Sequence, residues 1–280
     1  MAIERLNPLN DYIFLKIMGE KGDEDQLLAF LNAVLKRPEK QLQSIEIIES
    51  KAFPADIIGG KSCVLDVRAV YEDSNRVNIE VQLRDLGNME RRSLYYWSRE
   101  FTKGLSAGQE YEETPNVIAI NIVDYMFQFD IPDFHTTFHI WEDKYKDIKL
   151  TDALEIHFIE MVKFRSLEER DIQNDPLHRW LIYLDKGSPQ ELIEEAIKMD
   201  IGIQKADTKL RIISQDEETR RIYEMREKAL SDWTSGVNHA RREGKQEGKQ
   251  EGRLEERQKI LKMLKSGKSL EEIIKEYGSN

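Results

Sequence analysis

KSCVLDVRAVYEDSNRVNIEVQL, residues 61–83, alternates apolar and polar residues on either side of a polar turn and reads as a β-hairpin. Leu65, Val67, Ala69 and Tyr71 share one side of the first strand, and Val77, Ile79, Val81 and Leu83 share one side of the second. Side chains alternate with period two, so apolar residues face apolar residues only when paired positions sum to an even number. A reversal centred on Asp73, with Glu72, Ser74 and Asn75 as the other turn residues, meets that condition. This register sets Asp66 opposite Glu80, at roughly 5 Å between Cβ atoms, with Gln82 on the same face. Carboxylates held that close on stiff strands repel unless a positive charge lies between them. A hard divalent cation with oxygen ligands would relieve the repulsion. So would a solvated polar face on which Arg68 and Arg76 pair with the two acids.

Around the hairpin, 280 residues give room for one large or two modest domains. A 40% hydrophobic content is globular, whereas 34% charged residues points to long solvated helices. The net charge of −11 disfavours indiscriminate polyanion binding, so a nucleic-acid role needs a local basic patch. Cys63 is the single cysteine, which excludes an internal disulfide framework and a cysteine-rich zinc site and fits a reducing compartment. It lies in a strand pattern with no histidine nearby and reads as a strand residue. With no cationic leader and no long apolar run, the expectation is a soluble, cytoplasmic protein.

Asn10 and Asp11 open a short helical stripe of Ile13, Phe14, Ile17 and Met18 that stops at Gly19, and a second helix spans Asp25 to about Leu35. Leu42 to Ser50 reads as a strand. From Met89 to about Leu105 a helix sets Leu94, Trp97, Phe101 and Leu105 in a stripe suited to a sheet, while Arg91, Arg92, Arg99 and Lys103 form a dense basic patch. NVIAINIVDY, after Pro115, is the near-continuous apolar run of a central strand. FHTTFHIWEDK and LEIHFIEMVKF follow as two strand-like segments. Strands, a crossover helix and a buried strand describe an α/β sheet domain over 1–165. Beyond it, helical patterns cover Pro176 to Asp185, Pro189 to Met199 and Asp216 to Asp232, an all-α extension over 166–235. The tail, 236–280, carries Gly244, Gly248 and Gly252 in a four-residue charged repeat. Its i,i+4 charge pairs favour helix, but each glycine costs about 1 kcal/mol, so the expectation is a marginal solvated helix or a connector. Two short amphipathic helices around Ser266 and Gly267 close the chain.

Three blocks together resemble a known family: Leu65-Asp66-Val67-Arg68-Ala69, Val77-Asn78-Ile79-Glu80-Val81-Gln82 and Arg92-Ser93-Leu94-Tyr95-Tyr96. Asn10-Asp11-Tyr12-Ile13-Phe14, Phe30-Leu31-Asn32-Ala33, Gly108 with Tyr111, His135-Thr136-Thr137-Phe138 and Leu154 to Phe164 fit in the same order. The set looks like the Rpn recombination-promoting nucleases, also labelled PD-(D/E)XK family transposases, over about residues 7 to 250. Leu15 and Met18 depart from it, standing where Lys and Phe are common. The resemblance implies a restriction-endonuclease-like mixed sheet flanked by helices, and a metal-dependent endonuclease that cuts DNA. It makes Asp66 and Glu80 the metal-binding carboxylates, with the Val81 carbonyl as a further oxygen ligand and Mg²⁺, or else Mn²⁺ or Ca²⁺, as the cation. Gln82 takes the catalytic place usually held by Lys, and Asp11 is a further acidic contributor.

Gln82 can orient a water but carries no charge and exchanges no proton at neutral pH. The transition state thereby lacks an electrostatic partner of a kind worth roughly 3 kcal/mol. Arg84, Arg91 and Arg92 are the cations that could compensate or hold DNA phosphates; otherwise they form a solvated helix face. Tyr95, one turn beyond Arg91, is the aromatic expected to face the site. His135 and His139 share a strand face without an evident third ligand and read as packing or hydrogen-bonding residues; His157 and His178 stand alone. Two other readings stay open. One is a catalytically weakened nuclease fold acting by binding DNA or protein, and the other a scaffold that self-associates through its helical C-terminal half.

Overall fold

The computed structural model describes residues 5–48, 66–103, 108, 110–127, 130–267, 269, 271 and 273. Lys61 to Leu65, with Cys63, lie outside them, as does Leu105. The hairpin is formed by β2 (Val67–Tyr71) and β3 (Asn75–Gln82), joined by a 3₁₀ turn over Glu72–Ser74. Its partners are Val67 with Ile79, Ala69 with Val77 and Tyr71 with Asn75, the even-sum register centred on Asp73. Glu72 takes a left-handed φ of 36° to close the turn.

β1 (Ile45–Ile48) lies antiparallel to β2. β4 (Val117–Val123) lies parallel to β3, and β6 (Leu154–Glu160) parallel to β4. β5 (His135–Phe138) pairs antiparallel with β6, so the six strands run β1-β2-β3-β4-β6-β5. Every residue of β4 and of β6 is buried, as central strands covered on both faces require. The second half of LEIHFIEMVKF is not strand: Met161–Arg165 turns into helix. In FHTTFHIWEDK the strand stops at Phe138, and beyond it Trp141 makes only an isolated bridge to Lys149.

The two faces of the sheet are covered unequally. On one face, Val67, Ala69, Val77, Ile79, Ile118 and Ile120 join a large apolar core with helices α1 (Asp11–Met18) and α2 (Glu24–Leu35). Asn10 caps α1 by accepting from the backbone N–H groups of Tyr12 and Ile13. The same core takes in side chains of three later helices, Pro176–Leu184, Gln190–Met199 and Ile201–Ile213. Phe30 meets Trp180 edge to face at 5.5 Å. The Ile201–Ile213 helix is absent from the sequence reading. Its stripe of Ile203, Ala206 and Leu210 is interrupted by Gly202 and Asp207, both buried. A Cβ on Gly202 would stand 2.5 Å from that of Ala29, so glycine there is the condition for close packing on α2.

On the other face, α3 (Met89–Lys103) packs on β3 and β4 above a smaller cluster of Met89, Ala119, Val123, Phe158 and neighbours. β3, α3 and β4 form a parallel crossover. The long helix Glu217–Lys265 continues through Gly244, Gly248 and Gly252 with its side chains exposed there, so the charged repeat is helical. By contacts the chain divides into two compact units, Met1–Ala229 and Leu230–Asn280. Among the described residues no helix is long and apolar enough to cross a membrane.

Candidate nuclease site

The register of the hairpin, extended by one residue, sets Asp66 opposite Glu80, and both project to the face covered by α3. That face is not solvated: Glu80 is only 2% exposed. Of the two arginines expected to neutralise the acids, Arg68 lies 3.5 Å from Asp66, whereas Arg76 pairs with Glu100 of α3 at 3.2 Å. Glu80 instead contacts Arg92, one helical face away on α3. The contact is poorly aligned, and neither Glu80 oxygen receives a hydrogen bond among the described residues. Burial, with the charges of Asp66 and Asp11 added and that of Arg92 opposed, pushes the Glu80 carboxyl up to about 7. Burial also raises Asp66, against the pull of Arg68.

A polar sheet face calls for polar residues on the helix above it, and this explains why the apolar stripe expected on α3 is only half right. Trp97 packs into the small cluster and donates to the Val117 carbonyl at 3.2 Å, but Leu94 is 49% exposed. The residues of α3 that are buried are Met89, Ser93 and Glu100. Ser93 accepts from Asn121 of β4, which neighbours Glu80 in the parallel ladder. Glu100 collects Lys103 at 2.5 Å, Arg76 at 3.2 Å and Arg68 at 3.7 Å. Burial favours its protonated form, but these cations prevail and hold it below the ordinary carboxylate range. The spacing of Arg92, Tyr96, Glu100 and Lys103 at i, i+4, i+8 and i+11 carried the signal, hidden beside the apolar stripe.

The remaining expected residues scatter. Tyr95 is 57% exposed, with Arg99 over its ring, and the tyrosine that meets Arg92 is Tyr96, with the guanidinium carbon 5.6 Å from the ring centre. Arg91 is exposed and Arg84 half-buried. Gln82 is half-buried and donates to the Arg84 carbonyl at 3.0 Å. Val81 buries its side chain in the large core on the opposite face, leaving only its backbone for the site. Asp11 pairs with Arg226 and accepts from the Tyr12 N–H at 2.9 Å, yet its charge still reaches Glu80.

Among the described residues no three His, Cys, Asp or Glu side chains converge as a metal-binding group. Two carboxylates nonetheless suit Mg²⁺, which keeps several waters and takes one or two protein carboxylates. The buried Glu80 oxygens, which among the described residues meet only the Arg92 guanidinium, fit such an ion better than they fit an uncharged core. His157 of β6, expected to stand alone, instead meets His135 of the neighbouring strand β5 and Glu155. His135 Nε2 and His157 Nδ1 are 2.9 Å apart, and His157 Nε2 meets Glu155 at 2.8 Å.

A family model described as PD-(D/E)XK nuclease family transposase matches residues 8–240. Neither a curated protein nor a solved structure matches the chain.

Proposed function

The chain belongs to the PD-(D/E)XK nuclease family of transposases, and from that premise we propose that it is a divalent-metal-dependent endodeoxyribonuclease, most simply one using Mg²⁺ and serving recombination or a mobile element. The observation that carries the proposal is the Asp66–Glu80 pair on one sheet face, with a buried Glu80 carboxylate whose contact among the described residues is the single Arg92 ion pair. A divalent cation bound there would polarise the scissile phosphate and acidify a water. Asp66, Glu80 and the Val81 carbonyl would hold it. Burial and the charges of Asp66 and Asp11 disfavour the charged Glu80 carboxylate, a cost that a bound cation would offset. Gln82 supplies an amide beside the pair, able to orient a water but not to accept its proton. Arg84, Arg91 and Arg92 lie at or beyond the end of β3 and would hold DNA phosphates.

The test is nicking of supercoiled plasmid by the purified full chain with Mg²⁺, against an EDTA control. Asp66→Ala and Glu80→Ala are each expected to lower the rate at least about 100-fold, in line with the loss of preorganised charge stabilisation. Undiminished nicking by either variant would overturn the proposal. A second reading, a weakened nuclease that binds DNA without cutting it, is favoured by Gln82 standing in the lysine place with its amide already donating to the Arg84 carbonyl. Metal-dependent nicking by the wild type above the Asp66→Ala background excludes it.

A further inference from the structure

If Gln82 supplies no charge, the site needs a cation from elsewhere, and the structure separates the three arginines near it. Arg91 is exposed, and the Arg84 carbonyl accepts from Gln82. Arg92 forms an ion pair with Glu80, from a helix braced against the same face by Ser93 on Asn121. The contact has the marks of a replaceable one. Among the described residues it lacks the paired, parallel hydrogen bonds of an arginine–carboxylate fork, and Arg92 Nε is buried without an acceptor. The guanidinium also rests against Tyr96. That shelf gives it a second site of attraction when the carboxylate is taken by something else.

We propose that Arg92 is a resident counter-ion of Glu80 that a divalent cation displaces, and that the displaced guanidinium then provides, against the scissile phosphate, the positive charge that Gln82 cannot. The inference rests on the metal-site reading of Asp66 and Glu80. Two consequences of opposite sign follow. In the protein without metal, Arg92 competes with the cation for one carboxylate, so removing it favours metal binding. In the reacting complex, it stabilises the extra negative charge on phosphorus, so removing it slows cleavage. A residue that merely held the helix in place would shift both quantities in the same direction.

The experiment uses the full chain, with Mg²⁺ alone titrated calorimetrically and supercoiled plasmid as substrate. Arg92→Ala is expected to bind Mg²⁺ about tenfold more tightly, the effect of removing one adjacent opposite charge, and to nick about 100-fold more slowly. Adding Gln82→Lys to Arg92→Ala is expected to bring nicking back to within about tenfold of wild type, because the lost charge returns from the strand. Arg92→Gln repeats both measurements with a side chain of similar reach, should the alanine variant unfold. Weaker Mg²⁺ binding in the folded Arg92 variants, unchanged nicking, or no recovery in the double variant would each overturn the proposal. Failure of the underlying site reading looks different: Asp66→Asn would then leave both Mg²⁺ affinity and nicking as in the wild type.

Discussion

Two glutamates buried in the same sheet meet opposite fates. Glu80 on β3, 2% exposed, is driven up to about 7; Glu155 on β6, 8% exposed, is drawn down to about 2. Burial penalises both charges, so desolvation is not what separates them. Partners are. Glu155 accepts from His157 at 2.8 Å, pairs with Arg37 and has His139 within 3.7 Å. Glu80 has one misaligned arginine, and the nearby acids Asp66 and Asp11 work against it. A fold stabilised by its buried charges builds them like Glu155. A carboxylate built like Glu80 costs stability in the resting protein, which is the usual signature of a group reserved for a ligand.

The sharpest way to break the comparison is to neutralise both acids without changing their shape. Glu155→Gln is expected to destabilise the protein at pH 7 by about 2–4 kcal/mol, because His157 and the part-exposed Arg37 lose a charged hydrogen-bond partner. That corresponds to a fall in melting temperature of roughly 10 °C for a unit of this size. The cost has a pH signature. Because Glu155 has a folded pKa below its unfolded value, its stabilisation is full above about 4.5 and disappears as the pH falls through about 2. Thermal melts of wild type and variant should therefore converge in strong acid; a constant gap from pH 7 to 2 would show that Glu155 acts through packing instead.

Glu80→Gln should act in the opposite direction and by less, gaining about 2–3 kcal/mol at pH 8. Here the folded pKa lies above the unfolded one, so the contribution of Glu80 is fully present below about 4.5 and is lost as the pH rises through about 7. The advantage of the glutamine variant should be largest at pH 8 and close between 7 and 4.5. A variant that melts lower than wild type at pH 8 would mean that the Arg92 contact outweighs burial. The same substitution should abolish Mg²⁺-dependent nicking, separating the cost in stability from the use in function.

The contrast also shows what a sequence can display. The hairpin register was legible because one buried apolar face fixes parity, and Asp66 and Glu80 followed from it. The central strand, Val117–Val123, announced itself as a continuous apolar run. What stayed hidden depended on contacts far apart in the chain. Nothing local marks Glu155 as the partner of Arg37, or Glu100 as the hub for Arg68 and Arg76. Tyr95 and Tyr96 are adjacent and chemically identical, and only the rotation of α3 over the sheet decides that Tyr96 meets Arg92. That rotation is set by polar contacts from Ser93 and Glu100, residues an apolar stripe passes over.

Asp11 gives the smallest and most discriminating test of how far the Glu80 site extends. It lies in the first turn of α1, where its charge favours the helix, and it pairs with Arg226. Asp11→Asn should therefore cost about 0.3–1 kcal/mol through the helix terminus, alongside whatever the lost Arg226 pair contributes. Its charge is also one of those that raise Glu80, with a weaker effect than Asp66. The substitution should consequently lower the midpoint of the Glu80 titration, followed by carboxyl carbon NMR, by less than Asp66→Asn does. If the midpoint moves and Mg²⁺ affinity weakens with it, Asp11 is an outlying member of the acidic site. If the midpoint stays fixed while stability falls, the residue belongs to the α1–Arg226 anchor alone, and the charge acting on Glu80 narrows to the hairpin and Arg92.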